Sequence, residues 1–414
     1  MSANEARRRV EAVWRLESAR IIAGLARLVR DVGLAEELAQ DALVQALEQW
    51  PETGVPDNPG AWLTAVARRR GIDRIRREQT YARKLTEIGH RLETADDTAF
   101  DGVLDEEPIE DDVLRLVFTA CHPVLPVPSR VALTLRMIGG LATDEIARAF
   151  LVPEATVAQR IVRAKKALAA AGVPFETPVG ADRAARLASV LEVLYLVFNE
   201  GYAATAGDDL VRADLCREAL RLGRVLAGLA PGEPEVHGLV ALMEVQAART
   251  RARTGPDGRP VPLAEQNRGQ WDRLLIRRGV AALLRARGLG AAPGPYVLQA
   301  AIAVTHAQAP SFAETDWTAI AGLYELLVRE APSPVVELNR AVAVGMAHGP
   351  ERGLEIVDGL AADLAGYHLL PSVRGDLLAR LGRHDEARAE FARAAELTRN
   401  QAERRLLLDR ADAP

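Results

Sequence analysis

Apolar residues recur every three to four positions along most of the chain, the spacing of amphipathic helices, and the breaks fall at clusters of proline, glycine or acid. Residues 5–78 carry this pattern with one interruption, Trp50-Pro-Glu-Thr-Gly-Val-Pro-Asp-Asn-Pro-Gly60, where prolines and glycines forbid a continuous helix. From Glu93 to Asp112 the chain turns acidic and loses apolar content, the composition of a solvated linker. Helical periodicity resumes from Val113 to Ala170, and Gly172-Val-Pro-Phe-Glu-Thr-Pro-Val-Gly180 supplies a second linker. The expected organisation is a helical domain over 5–90, a linker over 91–112, a second helical domain over 113–171, a linker over 172–182 and a large helical unit over 183–414.

That last unit repeats itself near its end. Gly375, Gly382, Ala387, Phe391 and Ala394 match Ala341, His348, Gly353, Val357 and Leu360 at a constant offset of 34 positions, the tetratricopeptide (TPR) period. Small residues at Gly375 and Ala387 let paired helices approach, and Phe391 fills the space between them, so each repeat buries a core by stacking on its neighbour.

Composition supports an all-α fold. Aromatics make up 4% of 414 residues while Ala, Leu, Arg and Glu dominate, and a chain this long exceeds what one core usually serves. The formal net charge of -5 argues against a globally basic coat for DNA, but binding to a polyanion depends on the local field of each face. The N-terminus MSANEARRRVEAVW has no apolar core of signal-peptide length, and no run reaches the ~20 apolar residues needed to span a bilayer. A cytoplasmic protein with no membrane role is expected. Cys121 and Cys216 stand apart with no Cys/His ligand spacing, so neither a disulfide nor a metal site is expected, and nothing implies a cofactor. An enzyme is disfavoured by the lack of a nucleophile with a positioned base, a phosphate-cradling glycine loop or a paired carboxylate site.

Residues 141–168 carry the most specific local signal, a helix-turn-helix. Thr143 is the expected N-cap of the first helix, Ile146, Ala147 and Phe150 its inner face, and Pro153 starts the second helix. Val157, Ile161 and Ala164 point inward, leaving Thr156, Gln159, Arg160, Arg163, Lys165 and Lys166 to meet phosphates and base edges. Leu151 occupies the turn position where this motif commonly has glycine. The plain alternative is a packing unit with a solvated basic face.

A second basic stripe lies on the helix Gly60 to Glu78, where Arg69, Arg70, Asp73, Arg76 and Arg77 share a side with Trp62 while Ala61, Ala65, Ile72 and Ile75 face away. Arginines that track phosphates beside an aromatic suit melted DNA; the alternative is a solvated face with Trp62 in the core. The preceding helix, Leu34 to Trp50, exposes Glu36, Glu37, Gln40 and Asp41 beside Leu38, Ala42 and Leu43, a docking face for a basic partner.

These segments carry a resemblance. AEELAQDALVQALEQW followed by GAWLTAVARRRGIDRIRR is similar to regions 2.2 and 2.4 of the extracytoplasmic-function (ECF) sigma factors of the sigma-70 family, and DEIARAFLVPEATVAQRIVRAKKAL resembles their region 4.2. The resemblance implies a transcription initiation factor that binds core RNA polymerase, through the β′ coiled coil and the β flap, and reads the minus-ten and minus-thirty-five elements of promoter DNA. It implies a polymerase contact at Glu37, Gln40 and Asp41, a place near the unpaired base for Asn58 and Trp62, and upstream contacts for Arg160 and Arg163. Arg69 and Ala158 depart from the family pattern, which commonly has Asn and Lys there.

DDVLRLVFTACHPVLPVPSRVALTLRMIGGL, YLVFNEGYAA, the PDGR loop before EQNRGQWDR, and PSPVVELNRAVAV look like the ECF subfamily with a C-terminal TPR-like extension, which implies control in cis. Cys121-His122 reads as structural. Gly201 reads as the end of the helix carrying Leu194, Tyr195 and Phe198, with Asn199 and Glu200 satisfying its terminal groups or an interdomain contact. The segment with Asp257, Gly258 and Arg259 is a turn by composition. Alternatively it belongs to an interdomain clamp, near Trp271, in which Arg259 or Arg268 bonds a carboxylate of the sigma domains. The concave surface of such repeats could receive a signal protein or a small ligand. A one-component helix-turn-helix regulator with a TPR-like sensor is the alternative to a sigma factor.

Overall fold

Helices account for the regular structure of this computed structural model, which describes residues 3–89, 109–150, 152–203, 211–256 and 259–412. Among the described residues there is no strand beyond one isolated bridge between Thr254 and Pro260. Most of the expected acidic linker, Leu151 at the helix-turn-helix turn, and Asp257 and Gly258 lie outside the described residues. The chain divides into two units, residues 1–193 and 194–414.

In the first unit, α1 (Ala3–Val29) ends at Arg30, whose φ is 55°. Asp31 then caps α2 (Val32–Thr53) by accepting from the backbone N–H of Leu34 at 2.9 Å. α2 runs past Trp50 through Pro51 and stops at Gly54, so the break expected from Trp50 onward begins later. Asn58 caps α3 (Pro59–Gly89) by accepting from Ala61 N–H at 3.1 Å, with Pro59 in the first helical position. α4 (Ile109–Ala120) starts inside the stretch expected to be linker. Its Asp112 is buried and paired with Arg27 of α1 at 3.4 Å and with Arg115 at 2.7 Å, because an acid with two guanidinium partners can leave water where an unpaired one cannot.

α5 (Val127–Met137), α6 (Thr143–Phe150) and α7 (Glu154–Ala170) form the helix-turn-helix module. Ile146, Ala147, Val157, Ile161 and Ala164 are all buried, the inward set read from periodicity, while Phe150 is half-buried. The cap differs from expectation: α6 begins at Thr143 itself, and Glu145 folds back to accept from Ala142 N–H at 2.8 Å. Gly140 (φ +67°) lets α1 pass, since a Cβ there would lie 2.8 Å from Ser18 Oγ.

α8 (Gly180–Tyr202) begins within the expected second linker, and its first turns pack on α4 and α5. Ser189 donates to the Cys121 carbonyl at 2.5 Å, Arg186 to that of Phe118 at 3.3 Å, and Arg130 of α5 pairs with Glu192 at 2.9 Å. Cys121 is sealed beneath them beside Thr134, and burial pushes its thiol up to about 12.

The second unit opens with the end of α8 and continues through α9 (Ala213–Leu229) and α10 (Pro234–Ala248). Three short 3₁₀ turns (Thr250–Ala252, Leu263–Glu265, Arg268–Gln270) lead to α11 (Arg273–Gly288), α12 (Pro295–Gln308) and α13 (Trp317–Glu330). α14 (Pro334–His348), α15 (Pro350–Gly359), α16 (Leu369–Arg380), α17 (His384–Leu397) and α18 (Gln401–Ala411) complete it, each packed on the next. The 34-residue offset carries Pro350 at the start of α15 onto His384 at the start of α17. Leu338, Ala341, Leu354, Val357, Leu377 and Phe391 share one core.

Gly201 does not end its helix, as sequence suggested, because α8 continues to Tyr202. It is small because the start of α9 crosses there, where a Cβ would lie 2.6 Å from the backbone nitrogen of Cys216. Glu200 pairs with Arg212 at 2.5 Å.

Candidate polymerase and nucleic-acid interfaces

α2 presents three faces. Ala35, Leu38, Ala39, Ala42, Ala46 and Trp50 fall at i, i+3, i+4, i+7, i+11 and i+15 and are buried in the core. Glu37, Asp41, Val44 and Glu48, at i, i+4, i+7 and i+11, are exposed, and Leu47 borders them. Val44 and Leu47 are 51% and 37% exposed, and they supply the apolar part of this free face in place of Leu38 and Ala42, which are buried. Sequence reading missed Val44, Leu47 and Glu48, although their spacing from Glu37 was available to find them.

Between those faces sits Glu36. Its carboxylate is 6% exposed and accepts from Arg136 Nε of α5 at 3.0 Å and from Lys165 Nζ of α7 at 2.9 Å. The expectation that Glu36 stands open to a partner is corrected: the two cations that balance its charge come from the helix-turn-helix module of the same chain. Gln40, one turn further on, is half-buried. Glu37 stays 70% exposed with Lys165 at 3.9 Å, and Asp41 is exposed and pairs with Arg70 at 2.9 Å.

On α3, Leu63, Ala67 and Gly71 form the buried stripe, not Ala61, Ala65, Ile72 and Ile75. Ala61 and Ala65 are exposed and the two isoleucines half-buried; small residues at 67 and 71 bring the neighbouring helices closer than isoleucines would allow. The arginine stripe keeps its exposure. Arg69, Arg76 and Arg77 are exposed with no ion-pair partner among the described residues, while Arg70 bonds Asp41 and Gln45. Trp62 is half-buried, edge-to-face on Trp50 with ring centroids 5.4 Å apart, so one face of the indole is held and the rest borders solvent.

On α7, Gln159, Arg163 and Lys166 are exposed and Thr156 and Arg160 half-buried, again without ion-pair partners among the described residues. Lys165, expected on the outward face with them, is turned onto Glu36. A second link between modules joins Arg15 of α1 to Glu145 of α6 at 2.5 Å.

The chain matches three family models: Sigma-70 region 2 over residues 15–81, Sigma-70 region 4 over 115–168, and a family of unknown function (DUF6596) over 186–287. The first two cover α2 with α3, and the helix-turn-helix. The ECF RNA polymerase sigma factor SigK of Mycobacterium ulcerans is 30% identical over 153 residues, 36% of this chain and 78% of that protein. SigK of Mycobacterium tuberculosis H37Ra is 31% identical over 146 residues, 34% of this chain and 74% of that protein. The chain belongs to the ECF sigma factors of the sigma-70 family. It is therefore a transcription initiation factor and not an enzyme. The uncharacterized protein R00370 of Rhizobium meliloti is 48% identical over 380 residues, 92% of this chain and 89% of its own length, so the likeness to it runs on into the C-terminal extension. No solved structure matches the chain significantly. No described helix is long and apolar enough to cross a membrane.

Within the extension of this sigma factor, Arg259 pairs with Asp409 at 3.0 Å. Arg268 lies over the buried Trp271 ring at 4.8 Å and donates to the carbonyls of His306 and Ala309, both at 2.5 Å, and to Thr315 Oγ1 at 3.2 Å. The expected carboxylate partner of Arg268 is corrected to these carbonyls: the guanidinium fastens the segment after α10 to the end of α12.

Proposed function

We propose that this sigma factor binds core RNA polymerase through the free face of α2 (Glu37, Asp41, Val44, Glu48), the α2 helix meeting the β′ coiled coil and the region 4 module the β flap. α3 takes the melted minus-ten strand along Arg69, Arg76 and Arg77, with Asn58 and Trp62 near the unpaired base. α7 takes the minus-thirty-five duplex through Thr156, Gln159, Arg160, Arg163 and Lys166. The observation that carries this reading is that Arg69, Arg76, Arg77 and Arg163 are exposed with no ion-pair partner among the described residues, while a carboxylate-apolar face stands beside the first three. Asp41→Arg tests it. The substitution should weaken co-purification with core polymerase by roughly tenfold or more while leaving thermal stability within about 0.5 kcal/mol, since the Asp41–Arg70 pair is exposed. Undiminished binding and run-off transcription would remove α2 from the polymerase interface.

Control acts in cis, in the cytoplasm, through the C-terminal unit, which receives a signal protein or a small ligand. Ending the chain after Val193 keeps Arg186, Ser189 and Glu192, which bond α4 and α5. Output that rises on truncation identifies an inhibitor, and output that falls identifies a required element; unchanged output removes control in cis.

A further inference from the structure

The second unit holds a partly open cavity of about 280 Å³ between the end of α8, α10, α12 and α13, just below the usual range for small-molecule sites. Phe198, Tyr324 and Ile302 give it apolar and aromatic walls, and Asn199, Gln246 and Gln299 offer neutral polar groups. Two lining residues lack, among the described residues, a partner that matches their chemistry. Arg249 donates to Gln266 and Gln246, both at 3.3 Å, and lies 5.3 Å over Trp271, so every partner is neutral. Among the described residues no carboxylate pairs with it. Burial lowers the affinity of this guanidinium for its proton and the Arg253 charge acts the same way; the group opposing them is the Tyr202 phenol. His306 stands edge-on to Trp317 at 5.0 Å, and its Nδ1 is buried without a hydrogen-bond partner. Burial and the charges of Arg249 and Arg268 hold its ring neutral, down to about 4.

A half-buried cation with no counter-ion among the described residues is costly, and a buried ring nitrogen without a partner adds to the cost. The first cost falls if an anion enters, and the second falls with it where Nδ1 carries the imidazole hydrogen. A bare inorganic anion would leave the aromatic walls unfilled, whereas a carboxylate on a one- or two-ring body meets the cation and the walls together.

We propose that this cavity is a binding site for a small aromatic carboxylic acid, with Arg249 receiving the carboxylate and Phe198 and Tyr324 the ring. The proposal deepens the reading of the C-terminal unit as the receiver of a signal. Its test uses the full chain without polymerase or DNA, so failure here leaves the sigma assignment standing, and failure of cis control leaves the binding site standing.

Titration calorimetry would compare phenylacetate, 4-hydroxyphenylacetate and indole-3-acetate with their neutral amides, with inorganic phosphate, and with N-acetylphenylalanine, which presents the carboxylate of a peptide end. At least one free acid should saturate the chain, with its amide roughly tenfold weaker or worse, phosphate inert, and Arg249→Met reducing acid binding by roughly tenfold. Should Arg249→Met fail to fold, the acid-to-amide ratio on the unsubstituted chain carries the test. Equal binding of acid and amide, no saturation by any acid up to about 10 mM, or phosphate binding as tight as the acids would overturn the site. Tighter binding of N-acetylphenylalanine would overturn the assignment to a free acid.

Discussion

Glu36 and Lys165 are 129 positions apart in the chain and 2.9 Å apart in the fold, and with Arg136 they close the region 4 module onto α2. The closure has a geometric consequence. Minus ten and minus thirty-five are 25 base pairs apart by their names, about 85 Å of duplex. Glu36, which holds α7, and Asp41, which holds Arg70 of α3, are separated by only about 7.5 Å of helix rise. If α3 and α7 take the two elements as proposed, modules joined this closely cannot occupy both, and the junction has to part on the promoter.

Weakening the junction should therefore favour the open form. Lys165→Ala leaves Glu36 with Arg136 alone, a loss of about 1–3 kcal/mol and a shift of roughly 5- to 150-fold toward separated modules. Energy transfer between dyes on α3 and α7 should fall, and run-off transcription with core polymerase should rise. Unchanged transfer efficiency together with unchanged output would eliminate the junction as a point of control.

The upstream face makes a different kind of prediction. Arg163 is exposed and without an ion-pair partner among the described residues, so Arg163→Ala should leave the fold intact. If its guanidinium meets a phosphate, promoter binding by the holoenzyme weakens evenly across upstream sequences and the salt slope shrinks by about one; if it meets a base, discrimination at one position falls by about 1–3 kcal/mol. Competition binding at several salt concentrations separates the two, and no change in either excludes Arg163 from the DNA.

These expectations differ in how legible they were. The helix-turn-helix could be read because Ile146, Ala147, Val157, Ile161 and Ala164 obey one helical period and Pro153 marks where the second helix starts; its packing is local. Asp112 misled because an acidic run signals solvent unless its partners are known, and Arg27 lies far up the chain. The register of α3 failed because Ala67 and Gly71 are too small to score as a core stripe, although their smallness is what lets neighbours close on them. Glu36 failed for the same reason as Asp112. Its neighbours Glu37 and Asp41 stay exposed, and nothing local distinguishes the acid that turns inward.

The C-terminal repeat was visible because its spacer is a glycine. A Cβ at Gly375 would stand 2.7 Å from the Phe391 ring, and the ring is walled by a shared core. Gly375→Ala should destabilise by about 1–3 kcal/mol through overpacking, and Phe391→Ala by about 3–5 kcal/mol through the cavity it leaves. The double variant should be less destabilised than the sum, since the alanine then faces empty space. Denaturant unfolding of the four chains measures this, and strict additivity would show that the two residues do not touch.

His306 makes the second unit sensitive to acid. Its folded value is held down to about 4 by burial and by Arg249 and Arg268, against an ordinary 6.5, so between those values the unfolded chain binds the proton that the folded chain refuses. A histidine shifted this way contributes nothing above pH 6.5 and progressively opposes folding below it. From pH 6.5 to 5 the unit should lose on the order of 2 kcal/mol, levelling off below pH 4. His306→Gln removes the titrating group while keeping an amide near its place, and should flatten this segment of the stability profile. Urea unfolding followed by circular dichroism at a series of pH values reads both chains, and equal slopes in the two would assign the acid sensitivity to other groups.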